Sequence, residues 1–151
     1  MSKIVRNIKT IGLISFVLLL NSCFFLFDSG GEKIIGNYKI LWVDLLEQQV
    51  VCESLDQTSS SCSVLVKEYV FAVGHNSDFI IAKQHPTNGF DNGHVIDTTI
   101  TNFYIIDINR KLIKKGNKVF GPLTESQFND KVTELDIEKI KFDQVYPHLP
   151  S

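Results

Sequence analysis

Two runs of residues restrict the fold most, because apolar side chains alternate on both of their faces with the two-residue period of a β-strand. These runs cover residues 63–73 and 102–108, and two apolar faces are typical of a central strand that is covered on both sides. A third run, residues 79–84, follows a short turn at 74–77, so it predicts the return strand of a hairpin. His85 and Pro86 end that strand, because proline cannot extend the hydrogen-bonded ladder.

Weaker runs and one strong helix signal complete the predicted secondary structure. Further short strands are predicted at residues 36–44, 47–53, 111–113 and 118–120. Thr124 and Gln127 have the spacing of a capping box, and Leu123 and Phe128 have that of a hydrophobic staple, so a helix begins after Thr124 and ends near residue 136. We therefore predict an α+β fold, an antiparallel β-meander of about five to seven strands with one C-terminal helix packed on one face.

The first 22 residues have the pattern of an export signal. Three basic residues and no acidic one precede an uncharged, mostly apolar run at 11–20, and Leu20-Asn21-Ser22-Cys23 follows. This ending resembles the lipobox of bacterial lipoproteins, in which the cysteine thiol receives a diacylglyceryl group and becomes the new N-terminus. It predicts a lipid on Cys23 and no transmembrane helix. The alternative is an uncleaved signal anchor, because residues 24–27 extend the apolar stretch toward the roughly 20 residues that a span requires.

The predicted organisation is a signal peptide at 1–22, a lipidated N-terminus with a flexible stalk at 23–33, and a single globular domain at 34–151. The signal holds three of the fifteen basic residues and none of the seventeen acidic ones, so the mature chain carries a charge of −5. This charge argues against a nucleic-acid partner, which requires a basic field. Arg110, Lys111, Lys114, Lys115 and Lys118 form a local basic run, which we interpret as a solvated hairpin tip.

The anchor predicts the compartment and the state of the remaining cysteines. The protein is expected outside the cytoplasm on a membrane of the bacterial envelope. In a host with two membranes, Phe24 after the lipidated residue resembles the default for the outer membrane. Once Cys23 is lipidated, Cys52 and Cys62 are the remaining thiols, and an oxidising space favours a disulfide between them. The alternative is two separate cysteines, reduced or buried.

The polar loop at residues 87–98, together with His85 just before it, holds the candidate site residues. His85, Asp91, His94 and Asp97 are of metal-ligand type, but a solvated loop gathers the same residues, and we predict no metal. Phe90 lies between two Asn-Gly pairs, where it either contacts a partner or anchors the loop in the sheet. The sequence contains no nucleophile elbow, phosphate loop or dinucleotide fingerprint, so we predict no cofactor, no catalytic residue and no enzymatic activity.

Several apolar motifs carry a resemblance that spans residues 35–142. They are Gly36-Asn37-Tyr38 with Trp42, residues 69–73 with 79–84, residues 104–107, and residues 121–124 with Phe128. On these motifs the chain resembles an uncharacterised family of small bacterial lipoproteins, known only as a domain of unknown function. The resemblance implies the location and supplies no catalytic residues.

Two functions are open at this point. The first is a non-enzymatic lipoprotein whose domain binds another envelope protein or a polymer. The alternative is a small-ligand-binding module that uses the loop at 87–98. The oligomeric state does not follow from the sequence.

Overall fold

The computed structural model describes residues 30–43, 48–54, 62–87, 95–109 and 118–146, and all structural statements below concern these residues. They form nine β-strands and one α-helix. In chain order these are β1 (Gly30–Ile35), β2 (Tyr38–Trp42), β3 (Val50–Ser54), β4 (Cys62–Val66), β5 (Val70–His75), β6 (Phe79–Gln84), β7 (Asn102–Asp107), β8 (Val119–Leu123), α1 (Glu125–Glu134) and β9 (Gln144–Val145).

The strands form two antiparallel sheets that follow each other along the chain. The first sheet has the order β1-β2-β3-β4, and the second has the order β8-β7-β6-β5-β9. Three residues, 67–69, connect β4 to β5, and the backbone N–H of Val70 donates to the carbonyl of Gln49 at 3.1 Å. The end of the first sheet where β3 begins therefore lies beside the end of the second sheet where β5 begins.

The main hydrophobic core lies between the two sheets. Ile40, Val51 and Val66 from the first sheet and Val73 and Ile80 from the second are fully or almost fully buried in it. Alternation along the strands places these side chains on the inner faces. The two sheets therefore pack as a sandwich.

A second core covers the other face of the second sheet and holds the helix. Phe128 of α1 packs against Phe103 of β7, with ring centroids 4.9 Å apart, and against Phe142 at 5.9 Å. Thr124 caps the helix: its hydroxyl accepts from the Gln127 backbone, and the Gln127 side chain accepts from the Thr124 backbone at 2.9 Å. The predicted capping box and the placement of one helix on one face of a sheet are confirmed.

The α+β class is also confirmed, but the predicted single meander of five to seven strands is wrong in its architecture. The predicted long strand at 63–73 is two strands in different sheets, β4 and β5. The chain turns between them at Tyr69, whose φ of 68° is a left-handed conformation that interrupts an extended strand. Lys67 and Glu68 interrupt the apolar run directly before this turn, and the prediction carried one strand across them.

The structure differs from the prediction at the start of the chain as well. Residues 30–33, predicted as part of the stalk, belong to β1 and pair with β2. Gly30 lies so close to Trp42 that a Cβ atom would overlap the indole ring. The predicted strand at 118–120 is β8, whereas the predicted strand at 111–113 lies outside the described residues.

The segment after the helix returns across the second sheet and ends it. A Cβ atom at Gly74 would overlap the carbonyl of Lys141, so a side chain there would push this segment off β5. Val145 then lies opposite Ala72, and the N–H of Tyr146 donates to Phe71 at 2.9 Å. This pairing makes β9 the edge strand beside β5.

Candidate functional site

His85 is the described histidine of the predicted loop cluster, and it has a structural role. It is buried, with 8% of its surface exposed. Its ring stacks on Phe71 with centroids 4.3 Å apart, and its Nδ1 lies 2.8 Å from the Ile100 carbonyl. The imidazole therefore fastens the segment around Ile100 to the end of β6.

Asp97 is engaged within its own turn. Its carboxylate accepts from the Thr99 hydroxyl and from the Thr99 backbone N–H. These hydrogen bonds hold the pKa of the Asp97 carboxyl below its usual range. Phe90, Asp91 and His94 lie outside the described residues. Within the part of the chain that the structure describes, no three His, Cys, Asp or Glu side chains come close enough to hold a metal ion.

A hollow of about 500 Å³ lies beside His85. Thr87 pairs with Ile96 in an isolated β-bridge, and the Asp97 N–H donates to the Pro86 carbonyl at 2.9 Å. These contacts hold two chain segments side by side as the walls of the hollow. Its lining is mixed in polarity and consists of Pro86, Thr87, Val95, Ile96, Asp97 and Ile100.

A buried polar network joins the two sheets at the opposite end of the sandwich. Lys118 Nζ lies 2.8 Å from each carboxylate oxygen of Glu53, and the Lys118 side chain is 3% exposed. The Tyr38 hydroxyl donates to Glu53 at 3.0 Å, and the Tyr38 ring lies 4.7 Å from Lys118 Nζ. Because β2 and β3 belong to one sheet and Lys118 leads into the other, these contacts connect the layers.

The network keeps its tyrosine neutral. Burial raises the pKa of the Tyr38 hydroxyl, and the adjacent negative charge of Glu53 raises it further. A neutral hydroxyl donates to the carboxylate, whereas an ionised one would repel it. The lysine and the carboxylate satisfy each other, so we interpret the network as a tie between the sheets.

A second hollow, of about 410 Å³, lies along the hairpin of β1 and β2, and we call it the hairpin groove. It is lined by Gly31, Glu32, Lys33, Gly36, Asn37, Tyr38, Lys39 and Ser54. Lys33 and Lys39 lie directly opposite each other in the strand pair. Two like charges in this register destabilise a sheet, so the pair is a local positive charge that an anionic group would relieve.

The hairpin groove follows from the alternation in β2. Tyr38 and Ile40 point into the core between the sheets, so Lys39 points to the outer face. Gly36, with a φ of 55°, takes the left-handed conformation at the turn of the hairpin. The groove therefore lies on the outer face of the first sheet and extends to the turn that is farthest from Gly30.

A disulfide joins the two strands at the other side of this sheet. Cys52 of β3 and Cys62 of β4 are bonded, with their Cα atoms 5.8 Å apart. The predicted pairing of these two cysteines is confirmed. Cys23, the predicted lipidation site, lies outside the described residues.

The comparison with protein families covers β2 to β9, the helix and the part of the hairpin groove from Gly36 onward. Residues 35–146 match the model described as "Protein of unknown function (DUF3997)". The chain belongs to this family. No curated protein and no solved structure matches the chain. For this DUF3997 member, the residues themselves must therefore indicate a function.

Two features of this DUF3997 domain were not predicted from its sequence. Lys118 was predicted to lie in a solvated hairpin tip, and this prediction is wrong because the side chain is buried against Glu53. The pairing of Lys33 with Lys39 depends on β1, which was predicted as a stalk. Lys33 lies three positions before Gly36 and Lys39 two positions after Asn37, so a register shift between Lys33 and Ile35 brings the lysines opposite each other, and sequence spacing does not indicate it.

Proposed function

We propose that the protein is a bacterial lipoprotein, held at the outside of an envelope membrane by a lipid on Cys23, and that its domain binds an anionic envelope polymer or an acidic protein surface without catalysis. The observation that carries the binding function is the lysine pair of the hairpin groove. The anchor rests on the export signal and the Leu-Asn-Ser-Cys ending at residues 20–23.

The disulfide supports export of the chain. Disulfides persist in oxidising spaces outside the cytoplasm and are rare inside it. The Cys52–Cys62 bond also uses two of the three cysteines, which leaves Cys23 for the lipid. Among the described residues, no helix is long and apolar enough to cross a membrane.

The anchor is tested by the full chain expressed in a bacterial host with a lipoprotein pathway. We expect wild-type protein in the membrane fraction with the mass of the added lipid, and Cys23→Ser protein without that mass and released from the membrane. Wild-type protein retained on the membrane with no lipid on Cys23 would contradict the anchor and support an uncleaved signal anchor.

The binding function rests on the position and charge of the hairpin groove. Lys33 is exposed and Lys39 is half-buried, so both ammonium groups reach a ligand in the groove. Asn37 at the turn and Ser54 on the neighbouring strand line the same groove and supply side chains that bond hydroxyl or carboxylate groups. The groove also contains Glu32, so its charged side chains are two basic and one acidic, and this polar set fits an extended polymer with anionic and hydroxyl groups better than an apolar ligand.

The groove is tested by co-sedimentation of the full, detergent-solubilised lipoprotein with purified cell-wall polymer. Two exposed ion pairs contribute about 1 kcal/mol together, so we expect Lys33→Gln/Lys39→Gln to bind about fivefold more weakly. Lys139→Gln/Lys141→Gln makes the same change of charge at two exposed positions away from the groove and should bind like wild type. If both double variants lost the same affinity for the polymer, the loss would come from the change in net charge, and this result would contradict a binding site in the groove.

A second candidate function, a small-ligand-binding module, is favoured by the hollow beside His85. Its volume of about 500 Å³ lies within the range of small-molecule sites. The test is binding of a fluorescent apolar probe by the full lipoprotein in detergent. Probe bound by wild type and lost in Ile96→Asp would support this function, and identical binding by both would contradict it.

A further inference from the structure

Three exposed apolar side chains lie at one end of the sandwich. Val43, Val95 and Ile100 are 54%, 59% and 48% exposed. Val43 follows β2, whose last residue, Trp42, pairs with Gly30, the first residue of β1. Val95 and Ile100 lie in the segment that is bonded to the end of β6 through Pro86, Thr87 and His85.

The topology brings these residues to the same end of the molecule. The Val70–Gln49 hydrogen bond joins the start of β5 to the start of β3, and the His85 N–H donates to the Tyr69 carbonyl at 3.1 Å. One end of the sandwich therefore contains the first residues of β1, β3 and β5 and the last residues of β2, β4 and β6. We call this the Gly30 end. The turns at Gly36-Asn37 and at residues 76–78 lie at the opposite end.

The chain enters the domain at the same place. Because Gly30 packs under the indole ring of Trp42, the entry point is fixed beside Val43. Seven peptide units separate Cys23 from Gly30, and they span at most about 25 Å even when fully extended. A lipid on Cys23 therefore keeps the Gly30 end within about 25 Å of the bilayer, whereas the far turn lies about 20 Å farther along the six-residue strand and is not itself tethered.

We propose that the Gly30 end is a membrane-contacting surface, with Val43, Val95 and Ile100 inserted at the boundary between lipid headgroups and acyl chains. The inference rests on the lipid anchor of the proposed function. The occupant is a lipid surface, because the covalent tether brings it within reach and the three contacting side chains are apolar. The mature chain is acidic, so the contact does not depend on anionic lipid.

This orientation also gives the hairpin groove a direction. The groove runs toward the Gly36-Asn37 turn at the end opposite Gly30. With the Gly30 end on the membrane, the lysine pair faces away from the bilayer, where an envelope polymer is accessible.

The test uses the full lipidated chain in phosphatidylcholine vesicles. With Cys52 and Cys62 bonded and Cys23 lipidated, a cysteine introduced by Val95→Cys or Ile100→Cys is the single free thiol and takes a fluorophore. Ser77→Cys, exposed at the opposite end, is the matched control. Residues in membrane contact lie within about 5–10 Å of the headgroup boundary, so lipids carrying a quencher there should quench the labels at 95 and 100 strongly and leave the label at 77 nearly unchanged.

Three results would overturn the membrane contact. Equal quenching at both ends, or stronger quenching at residue 77, overturns the membrane contact while the mass of the lipid on Cys23 still supports the anchor. A wild-type chain that carries no lipid and does not sediment with vesicles overturns both. Labels at 95 and 100 that are shielded in cells but unquenched in vesicles assign this end to a protein partner instead, and also overturn the inference.

Discussion

Lys118 binds Glu53 across the interface of the two sheets, at 2.8 Å from both carboxylate oxygens, although 65 positions separate the two residues in the chain. The lysine side chain is 3% exposed and that of the glutamate is 22% exposed. Each charge therefore depends on the other for compensation, and the pair aligns the sheets by a directional contact in addition to the apolar core.

Removal of one member of this pair should be costly. We expect Lys118→Met to lower the free energy of unfolding by about 2–3 kcal/mol, somewhat less than for a fully buried pair, because water still reaches Glu53. Chemical denaturation measures the change. Glu53→Leu/Lys118→Met should recover most of the loss, and Lys131→Met, which breaks a more exposed pair with Glu134, should cost under about 1 kcal/mol. If Lys118→Met lowered the free energy of unfolding no more than Lys131→Met does, the result would contradict the tie between the sheets.

The disulfide should contribute measurably to stability. Closure of the loop between Cys52 and Cys62, ten positions apart, corresponds to about 2–3 kcal/mol in the chain-entropy model. Chemical denaturation with and without a reductant gives the contribution directly. The Cys52→Ala/Cys62→Ala protein serves as the control, because its stability should not respond to reductant. A wild-type free energy of unfolding that likewise does not change with reductant would show that the bond does not form in the purified protein.

The helix start should show two effects of different size. Thr124→Ala removes the cap and should cost about 1 kcal/mol. Phe128→Ala empties a site between Phe103 and Phe142 and should cost about 3–5 kcal/mol. Ser126→Ala, exposed in the same first turn, should change stability by less than about 0.5 kcal/mol. If the Phe128→Ala protein were as stable as the wild type, the helix would not cover the second sheet in solution.

Three tyrosines predict a loss of stability in alkali. Burial raises the pKa of Tyr38, Tyr104 and Tyr146, and nearby carboxylates add to the effect for Tyr38 and Tyr146. Their folded pKa values exceed the unfolded value of about 10, so the stability they contribute is complete below pH about 10 and is lost as the pH rises above it. Tyrosinate absorbance should show these groups ionising only with unfolding. In denaturant, all four tyrosines of the chain should ionise near pH 10, which serves as the control. Ionisation of all four near pH 10 while the protein is still folded would refute the prediction.

Local signals predicted the local structure of this protein well. The capping box at Thr124 and Gln127 identified the helix, and two-residue alternation identified β6 and β7, because both depend on neighbours in the sequence. The division into two sheets was not predictable in this way. The break at Tyr69 is marked only by Lys67 and Glu68 between two apolar stretches, and a left-handed tyrosine has no sequence signal.

The candidate sites divide in the same manner. The cysteine pair followed from counting thiols in a chain that was predicted to be exported, which requires no geometry. The Lys118–Glu53 pair and the opposition of Lys33 and Lys39 depend on which strands become neighbours. Lys118 was misassigned because a local count of basic residues describes the charge of a segment and not the partner of each side chain.

The two residues of β9 have a consequence for solubility. β5 is almost wholly buried on its faces, and β9 occupies the hydrogen-bonding edge that β6 leaves open. An unprotected edge on such an apolar strand is a template for pairing with another chain. Detachment of Gln144 and Val145 would leave the edge of β5 open for pairing with a second copy of the chain, and the proposed lipid anchor would concentrate such copies in two dimensions. The short return of the chain across Gly74 thus protects the protein against aggregation.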